Sequence, residues 1–223
     1  MSIVFSSPRV ILCEGSSDKA VFDNLIRSRG LPDIQVYFPL GANDKTGGNT
    51  SFGRSLRANR TSSTSNFEVV KSVLIVSDND NAPPESFAKI QNQLRDAGYG
   101  VPDDELVFVT SPNDAPSVAI MMLPLEQQPG NLETVCLPAI EAKWNTLIEP
   151  LNQFTTAAPA NGWSVGQKAK MRVQCLLAAT CEPNPYVTLG GIYSEHNSYH
   201  PPLDNSAFDA IAAFLAAWDT HLP

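Results

Sequence analysis

Two short apolar runs in this chain each end on acidic residues, and this pattern limits the folds that the chain can adopt. Residues 9–13 (RVILC) lead directly into Glu14, and residues 72–77 (SVLIVS) lead into Asp78 and Asp80. Both runs are too short for a typical helix, and the second is apolar on both faces, as strands at the centre of a parallel sheet are. We therefore predict two buried strands with carboxylates at their carboxyl ends.

Strand-like and helix-like segments alternate along the first half of the chain. Such alternation is typical of an α/β fold with an open, mainly parallel sheet that is flanked by helices. Turn and cap residues such as the Ser16-Ser17-Asp18 cluster and Pro83-Pro84 mark the helix starts. After the first strand, the predicted elements are a helix to about residue 29, a strand over 34–38, the strand over 72–77, a helix over 83–97, a strand over 106–110 and a candidate strand over 117–123.

The second half has helical periodicity over 131–149, 166–181 and 206–219, and the segment 182–205 is predicted to be irregular. We expect an α/β domain over 1–125 and a C-terminal helical extension over 126–223 on the same core. The apolar face of the helix over 206–219 is a candidate homodimer contact. Packing against its own sheet is the alternative.

The apolar runs and the cysteine spacing predict the cellular compartment of the chain and its cysteine chemistry. No apolar run reaches the roughly 18 residues that span a bilayer, and no early segment resembles a secretory leader, so we expect a cytoplasmic protein without a membrane partner. The four cysteines form no CxxC pair, and we expect neither a disulfide framework nor a zinc site.

The formal net charge of −8 argues that any contact with nucleic acid is local, because phosphate binding is normally built on clustered Lys and Arg. The candidate contact is the polar, Gly-rich segment 45–60, which we predict to be a mobile cationic loop, with a short helix inside it as an alternative. Ordinary solvated surface arginines are the competing interpretation. The candidate nucleic-acid-binding residues are Lys45, Arg54, Arg57 and Arg60.

The acidic residues after the two strands predict a ligand site, because ligands of open α/β sheets bind at the carboxyl ends of the strands. Glu14, Asp78 and Asp80 converge there if the two strands are neighbours. Clustered carboxylates repel each other and typically hold a cation or a shared proton, and hard oxygen ligands suit Mg²⁺ or Mn²⁺. Phosphoryl transfer or phosphodiester hydrolysis is the chemistry expected. The alternative is that Asp78, Asn79 and Asp80 are turn and N-cap residues of the helix at Pro83.

Residues 13–26 (CEGSSDKAVFDNLI) resemble the glutamate motif of Toprim domains, and residues 77–80 (SDND) resemble their DxD motif. Toprim domains occur in primases, topoisomerases, small ribonucleases and OLD-type nucleases. The segment 121–140 resembles a small branch of stand-alone Toprim-like proteins related to the OLD type, in which Gly-x-Leu-Glu opens a helix. Residues 168–178 and 206–215 resemble the later helices of that branch.

The resemblance implies a role for each matching residue. Glu14 corresponds to a metal ligand or general acid/base, and Asp78 and Asp80 correspond to metal-binding aspartates. Glu133 corresponds to a further metal ligand; its alternative is a first-turn glutamate that the helix dipole favours. Lys170, with Lys168 beside it, corresponds to a lysine that stabilises developing phosphate charge, or both belong to the exposed face of an amphipathic helix. Further candidates are Asp18, which could instead cap its helix, and Asp114, which could be a turn residue.

The resemblance therefore implies a Mg²⁺- or Mn²⁺-dependent nuclease that acts on DNA or RNA, as an effector of repair or of phage defence. The chain has no GxxxxGK[ST] phosphate loop, so we expect any ATP chemistry to come from a separate partner ATPase. A non-catalytic metal-binding regulatory module is the alternative. A haloacid-dehalogenase-like hydrolase or a receiver domain is less favoured, because the first strand ends in Glu14 and Asn81 follows the DxD.

Overall fold

Four parallel strands form the centre of the molecule. The computed structural model describes residues 4–39, 50–195 and 199–223, except for the side chain of Glu195. The strands lie in the order β2-β1-β3-β4 and every pair is parallel, which confirms the predicted α/β fold with a parallel sheet. Their bounds are β1 (Arg9–Cys13), β2 (Gln35–Tyr37), β3 (Ser72–Asp78) and β4 (Ser117–Leu123).

Eight α-helices within the described residues surround this sheet. The helix predicted at Pro83-Pro84 has a proline in its first turn, and it ends where Gly98 adopts the left-handed conformation (φ +76°) that glycine tolerates. The helices are α1 (Ser16–Ser28), α2 (Phe52–Thr61), α3 (Pro83–Ala97), α4 (Leu132–Lys143), α5 (Ile148–Ala157), α6 (Val165–Thr180), α7 (Leu189–Glu195) and α8 (Asp209–Ala216).

Alternate residues of the buried strands supply two apolar cores, one on each face of the sheet. Val73 and Ile75 of β3 pack into the core that includes residues of α2 and α3. Leu74 and Val76 pack into the larger core on the other face, which includes residues of α1, α4, α6, α7 and α8. The helical second half of the chain thus shares a core with the sheet.

The prediction of a strand over 106–110 is wrong. Within the described residues, this segment is joined to β4 by one isolated antiparallel bridge, between Val109 and Val118, and by a hydrogen bond from the Leu106 N–H to the Ile120 carbonyl. Leu106 has a positive φ of +63°, which interrupts an extended chain, and Val107 is largely exposed. The candidate strand over 117–123 takes the place beside β3 instead, because its residues from Val118 to Leu123 are all buried.

Two predictions about the second half also need correction. The segment 182–205 is not wholly irregular, because it contains α7. Gly190 lets α7 pack tightly on α1, since a Cβ atom at Gly190 would lie 2.6 Å from the Cα of Ser17. The helical region predicted over 131–149 breaks after α4, and α5 begins at Ile148.

The C-terminal helix packs against its own chain. The helix predicted over 206–219 consists of α8 with a 3-10 turn on either side. Leu215 and Trp218 are fully buried, and the Trp218 Nε1 donates a 2.8 Å hydrogen bond to the hydroxyl of Ser72 at the start of β3. Within the described residues, no helix combines the length and apolar character needed to cross a bilayer.

Candidate metal centre

The strand order places a topological switch point between β1 and β3. From β1 the chain moves to β2 on one side, and β3 then pairs with β1 on the other side. Cys13 pairs in register with Val76, so the carboxyl ends of β1 and β3 lie level. Glu14 and Asp78 therefore leave the sheet side by side in the crevice where open α/β sheets bind ligands.

A cavity of about 310 Å³ lies at this crevice. Four of the residues that line it carry carboxylates, and they come from β3 and from the starts of α1 and α4. One lysine, from α6, lies at the same cavity. The residues that line it are Glu14, Gly15, Ser16, Ser17, Asp18, Asp78, Leu132, Glu133 and Lys170.

Two helix N-termini meet at the cavity. Asp18 in the first turn of α1 accepts a 3.0 Å hydrogen bond from the backbone N–H of Gly15, which closes a capping interaction. Asp78 Oδ1 accepts a 2.9 Å hydrogen bond from the backbone N–H of Leu132, the first residue of α4. The positive ends of both helix dipoles thus favour negative charge at this place.

Hydrogen bonds fix the carboxylate of Glu14 through one of its two oxygens. The Ser77 hydroxyl donates to Glu14 Oε1, and the backbone N–H of Asp78 donates to the same oxygen at 3.0 Å. Within the described part of the chain, Glu14 Oε2 and Asp78 Oδ2 accept no hydrogen bond. One oxygen of each carboxylate therefore remains for another ligand.

Burial and mutual repulsion keep these carboxyl groups protonated to unusually high pH. Burial, followed by the charges of Glu14 and Asp18, raises the pKa of Asp78 to about 9. Burial and the charge of Glu14 raise the pKa of Asp18 to about 7. Burial also raises the pKa of Glu14, although hydrogen bonds from Ser77 and Asp78 oppose the shift. The cavity therefore resists simultaneous ionisation of Glu14, Asp18 and Asp78.

Lys170 supplies only partial compensation for this charge. Its Nζ lies 3.9 Å from Glu133 Oε2, and its side chain is 56% exposed, so solvent screens the pair. Lys170 is the smallest of the influences on the pKa of Glu14. The cavity is therefore short of positive charge.

The donor atoms at this cavity are of the chemical type that suits a hard divalent cation. Carboxylate oxygens are the ligands that Mg²⁺ and Mn²⁺ prefer, and a cation would offset the repulsion that raises these pKa values. In the arrangement described, no three His, Cys, Asp or Glu side chains are placed to hold a metal ion together. The residues that would hold it are Glu14 and Asp78 through their unused oxygens, with Glu133 and Asp18 at the same cavity.

Asp80 differs from the other acidic candidates in its position, although its charge is close enough to raise the pKa of Glu14. It is exposed, has a positive φ of +53°, and does not line the cavity; its carbonyl accepts a 2.7 Å hydrogen bond from Gly130. Asn79 is fully buried, and its side-chain amide donates to the Pro124 carbonyl at 2.6 Å. The N-cap interpretation of this motif is wrong for α3, because Ala82 occupies the N-cap position and no side chain caps the helix.

The described part of the predicted cationic segment does not line the acidic cavity. Residues 52–61 form α2, which confirms the alternative of a short helix within the predicted loop, and Phe52 and Leu56 are buried on one face of this helix. Arg57 donates to the Asp96 carbonyl, and Arg60 donates to the Asn113 carbonyl. Arg54 is exposed on the same helix, and Lys45 lies outside the described residues.

Arg60 and Asp114 line a separate cavity at the opposite edge of the sheet. That cavity of about 720 Å³ also includes Ser117, where β4 begins. Lys168 is exposed on α6 and does not line the acidic cavity. The structure thus brings together Glu14, Asp18, Asp78, Glu133 and Lys170, and it separates them from Arg60 and Asp114.

Sequence reasoning overlooked Ser77 and treated Asp18 as a secondary candidate. Ser77 precedes the DxD motif by one residue, and only the pairing of β1 with β3 shows that its hydroxyl reaches Glu14. The sequence did contain a signal for Asp18. It lies four residues after Glu14, in the first turn of the helix that follows Glu14.

The comparisons with known proteins assign a family. The chain belongs to the family described as "Protein of unknown function (DUF3226)", whose match covers residues 8–205. That match includes every residue that lines the acidic cavity. No curated protein and no solved structure matches the chain.

Proposed function

We propose that this chain is a Toprim-like, Mg²⁺- or Mn²⁺-dependent phosphodiesterase that hydrolyses DNA or RNA. The observation that carries the proposal is the convergence of Glu14, Asp78 and Glu133 on one cavity at the switch point of a parallel sheet. Buried like charges cost folding free energy, and a bound cation is the ordinary means of offsetting that cost. The Toprim resemblance of residues 13–26 and 77–80 adds independent support.

The residues of the cavity have distinct roles in this proposal. Glu14, Asp78 and Glu133 hold the metal, with Asp18 as a further oxygen ligand. The bound metal would polarise the phosphate and activate a water molecule. Lys170 neutralises charge that develops on the phosphate. Glu14 also serves as the general acid or base, because a carboxyl group with a raised pKa can exchange a proton near neutral pH.

Backbone groups of the first turns support phosphate binding in the same place. Ser16 and Ser17 begin α1, Glu133 lies in the first turn of α4, and all three line the cavity. The amides at a helix start and the positive end of the helix dipole together favour phosphate oxygens. These features partly compensate for the small number of cationic side chains.

The experiment that tests the proposal measures cleavage of supercoiled, linear and single-stranded DNA, and of RNA, with Mg²⁺, Mn²⁺ or a chelator. Glu14→Gln and Asp78→Asn remove a charge and keep the side-chain size. We expect cleavage that requires the metal and that falls at least about 100-fold in both variants. Glu68→Gln and Asp103→Asn are matched controls, since both residues are exposed and lie outside the cavity. Metal-independent cleavage, or full activity in Asp78→Asn, would contradict the proposal.

A non-catalytic metal-binding module is the second candidate function. The single lysine at the cavity and the net charge of −8 favour it, because contacts to a phosphate backbone normally need several cations. It predicts metal binding without cleavage of any of these substrates. A separate ATPase that delivers the nucleic acid is a third arrangement, and it predicts cleavage only when that partner is added.

A further inference from the structure

A second cavity, of about 790 Å³, adjoins the acidic one. Ser17, Glu133 and Lys170 line both cavities, so the two are joined along a shared wall. We call the second cavity the α6 groove, because most of its other residues lie on α6 or just before it. The residues that line this groove but not the acidic cavity include Trp163, Gln167, Met171, Gln174 and Leu189.

The α6 groove has an apolar and aromatic wall beside the charged cavity. Helix α6 buries Leu176 and Leu177 in the core, while the adjacent face lines the groove. Trp163 precedes this helix and remains 44% exposed, although it is the largest type of apolar side chain.

Local hydrogen bonds hold the turn that carries Trp163. Its backbone N–H donates to the Ala160 carbonyl at 3.1 Å. The next residue, Ser164, caps α6 by accepting a hydrogen bond from the backbone N–H of Gln167. These bonds hold the backbone at Trp163, which lies at one end of the groove.

The charges around the two cavities exclude one way of binding nucleic acid. Among the described residues that line the acidic cavity or the α6 groove, Lys170 alone is cationic. A duplex that is held along its backbone needs a row of Lys and Arg side chains. Single-stranded nucleic acid can be held instead by stacking of its bases on aromatic side chains, an interaction that every base can make.

We propose that the α6 groove receives the base and sugar next to the reacting phosphate, with the base stacked on Trp163. This inference rests on the proposed function, and it specifies the substrate class as single-stranded ends or short oligonucleotides. The phosphate lies at the acidic cavity, Lys170 lies between the two sites, and Met171 and Leu189 contact the sugar and base. A base inside a duplex is already stacked on its neighbours and cannot reach the indole.

The test compares binding of adenosine 5′-monophosphate and ribose 5-phosphate by calorimetry in the presence of Mn²⁺. Stacking of one base should make the nucleotide bind about tenfold or more tightly than the sugar phosphate. Trp163→Ala should remove this advantage, and Trp163→Phe should keep most of it. Phe154→Ala is the matched control, because Phe154 is also exposed but lies outside the groove. Single-stranded oligonucleotides should be cleaved faster than blunt duplexes of the same sequence.

The outcomes separate this inference from the proposed function. If wild type binds Mn²⁺ and ribose 5-phosphate but gains nothing from the base, the base site is overturned and the metal site stands. If the advantage of the nucleotide persists in Trp163→Ala, stacking on Trp163 is overturned. If neither Mn²⁺ nor any phosphate ligand binds, both the inference and the proposed function fail.

Discussion

The pKa values of carboxyl groups shift in opposite directions at the periphery and at the centre of this molecule. At the periphery, three acidic side chains each bond an arginine, and the hydrogen bond from Arg9 lowers the pKa of Asp219. At the centre, burial and like charges raise the pKa of Asp78 to about 9. The peripheral pairs are Arg9–Asp219, Arg29–Asp209 and Arg172–Glu141.

The difference separates structural charges from the candidate functional ones. Arg9 begins β1 and Arg29 follows α1, and both bond residues in the last 15 of the chain, so these pairs tie the C-terminal helices to the sheet domain. Arg172 joins α6 to α4 through Glu141. Within the described residues, Glu14, Asp18 and Asp78 form no ion pair, and buried carboxyl groups with raised pKa values are typical of functional sites.

The largest expected effect is a loss of stability of the metal-free protein as the pH rises. Asp18 and Asp78 have raised pKa values in the folded state, so the folded protein binds their protons more tightly than the unfolded chain does. This stabilisation is present below about pH 4 and is lost as the pH rises through about 7 and about 9. We expect the free energy of unfolding to fall by at least about 3 kcal/mol between pH 5 and pH 9, since each pKa unit corresponds to about 1.4 kcal/mol. Urea unfolding in the presence of a chelator measures this free energy as a function of pH. A free energy of unfolding that does not change with pH would contradict the expectation that the central carboxylates destabilise the metal-free protein.

The next effect is a gain in stability on removal of one central charge. Asp78→Asn keeps an oxygen that can accept the hydrogen bond from Leu132 and removes a repelled carboxylate. At pH 8 without metal, we expect this variant to be more stable than wild type by about 1–3 kcal/mol. Asp103→Asn, which changes an exposed carboxylate, should leave the unfolding midpoint unchanged. A less stable Asp78→Asn protein would mean that Asp78 serves chiefly as a cap of α4.

The same kind of substitution at the periphery should have the opposite sign. Glu141→Gln weakens the half-buried contact with Arg172, which also donates to Asn152. We expect a loss of about 1 kcal/mol in the free energy of unfolding. Thermal unfolding of both variants in one buffer makes the comparison direct, and Mn²⁺ affinity should not change. If Glu141→Gln stabilised the protein, the Arg172–Glu141 pair would be destabilising, as the central carboxylates are.

The smallest expected effect concerns Lys170. Because its side chain is more than half exposed and its contact with Glu133 is long, Lys170→Met should change the free energy of unfolding by less than about 0.5 kcal/mol. In the proposed function the same variant loses cleavage activity while it still binds Mn²⁺. If both turnover and stability were unchanged in Lys170→Met, Lys170 would have no catalytic role and would be an ordinary residue on the exposed face of an amphipathic helix.

The sequence predicted the parts of the fold in which one local signal dominates. β1 and β3 are continuous apolar runs, and α3 has proline at its start and glycine after its end. The segment 106–110 is also apolar, but periodicity cannot tell which of two apolar runs pairs with β3. Contacts with the rest of the sheet decide that, and they favour β4.

The candidate site was predictable to a similar extent. The rule that ligands bind at the carboxyl ends of parallel strands suffices to bring Glu14 and Asp78 together. The positions of Glu133 and Lys170 depend on how α4 and α6 pack, which the sequence pattern does not contain. The sequence could not predict that Asp78 lines the cavity and Asp80 does not. The exposure of Asp80 follows from its left-handed backbone and its bridge to Gly130.

The measurement that tests the central claim most directly is a calorimetric titration of Mn²⁺ into wild type and Asp78→Asn at pH 8, in buffers of different ionisation enthalpy. The claim is that the central carboxylates form a cation site. It predicts Mn²⁺ binding by wild type with release of a proton, because the raised pKa of Asp78 leaves that carboxyl group protonated before the metal arrives. It also predicts binding at least about tenfold weaker in Asp78→Asn. Equal affinity in the two proteins, or no binding by folded wild type, would contradict the claim.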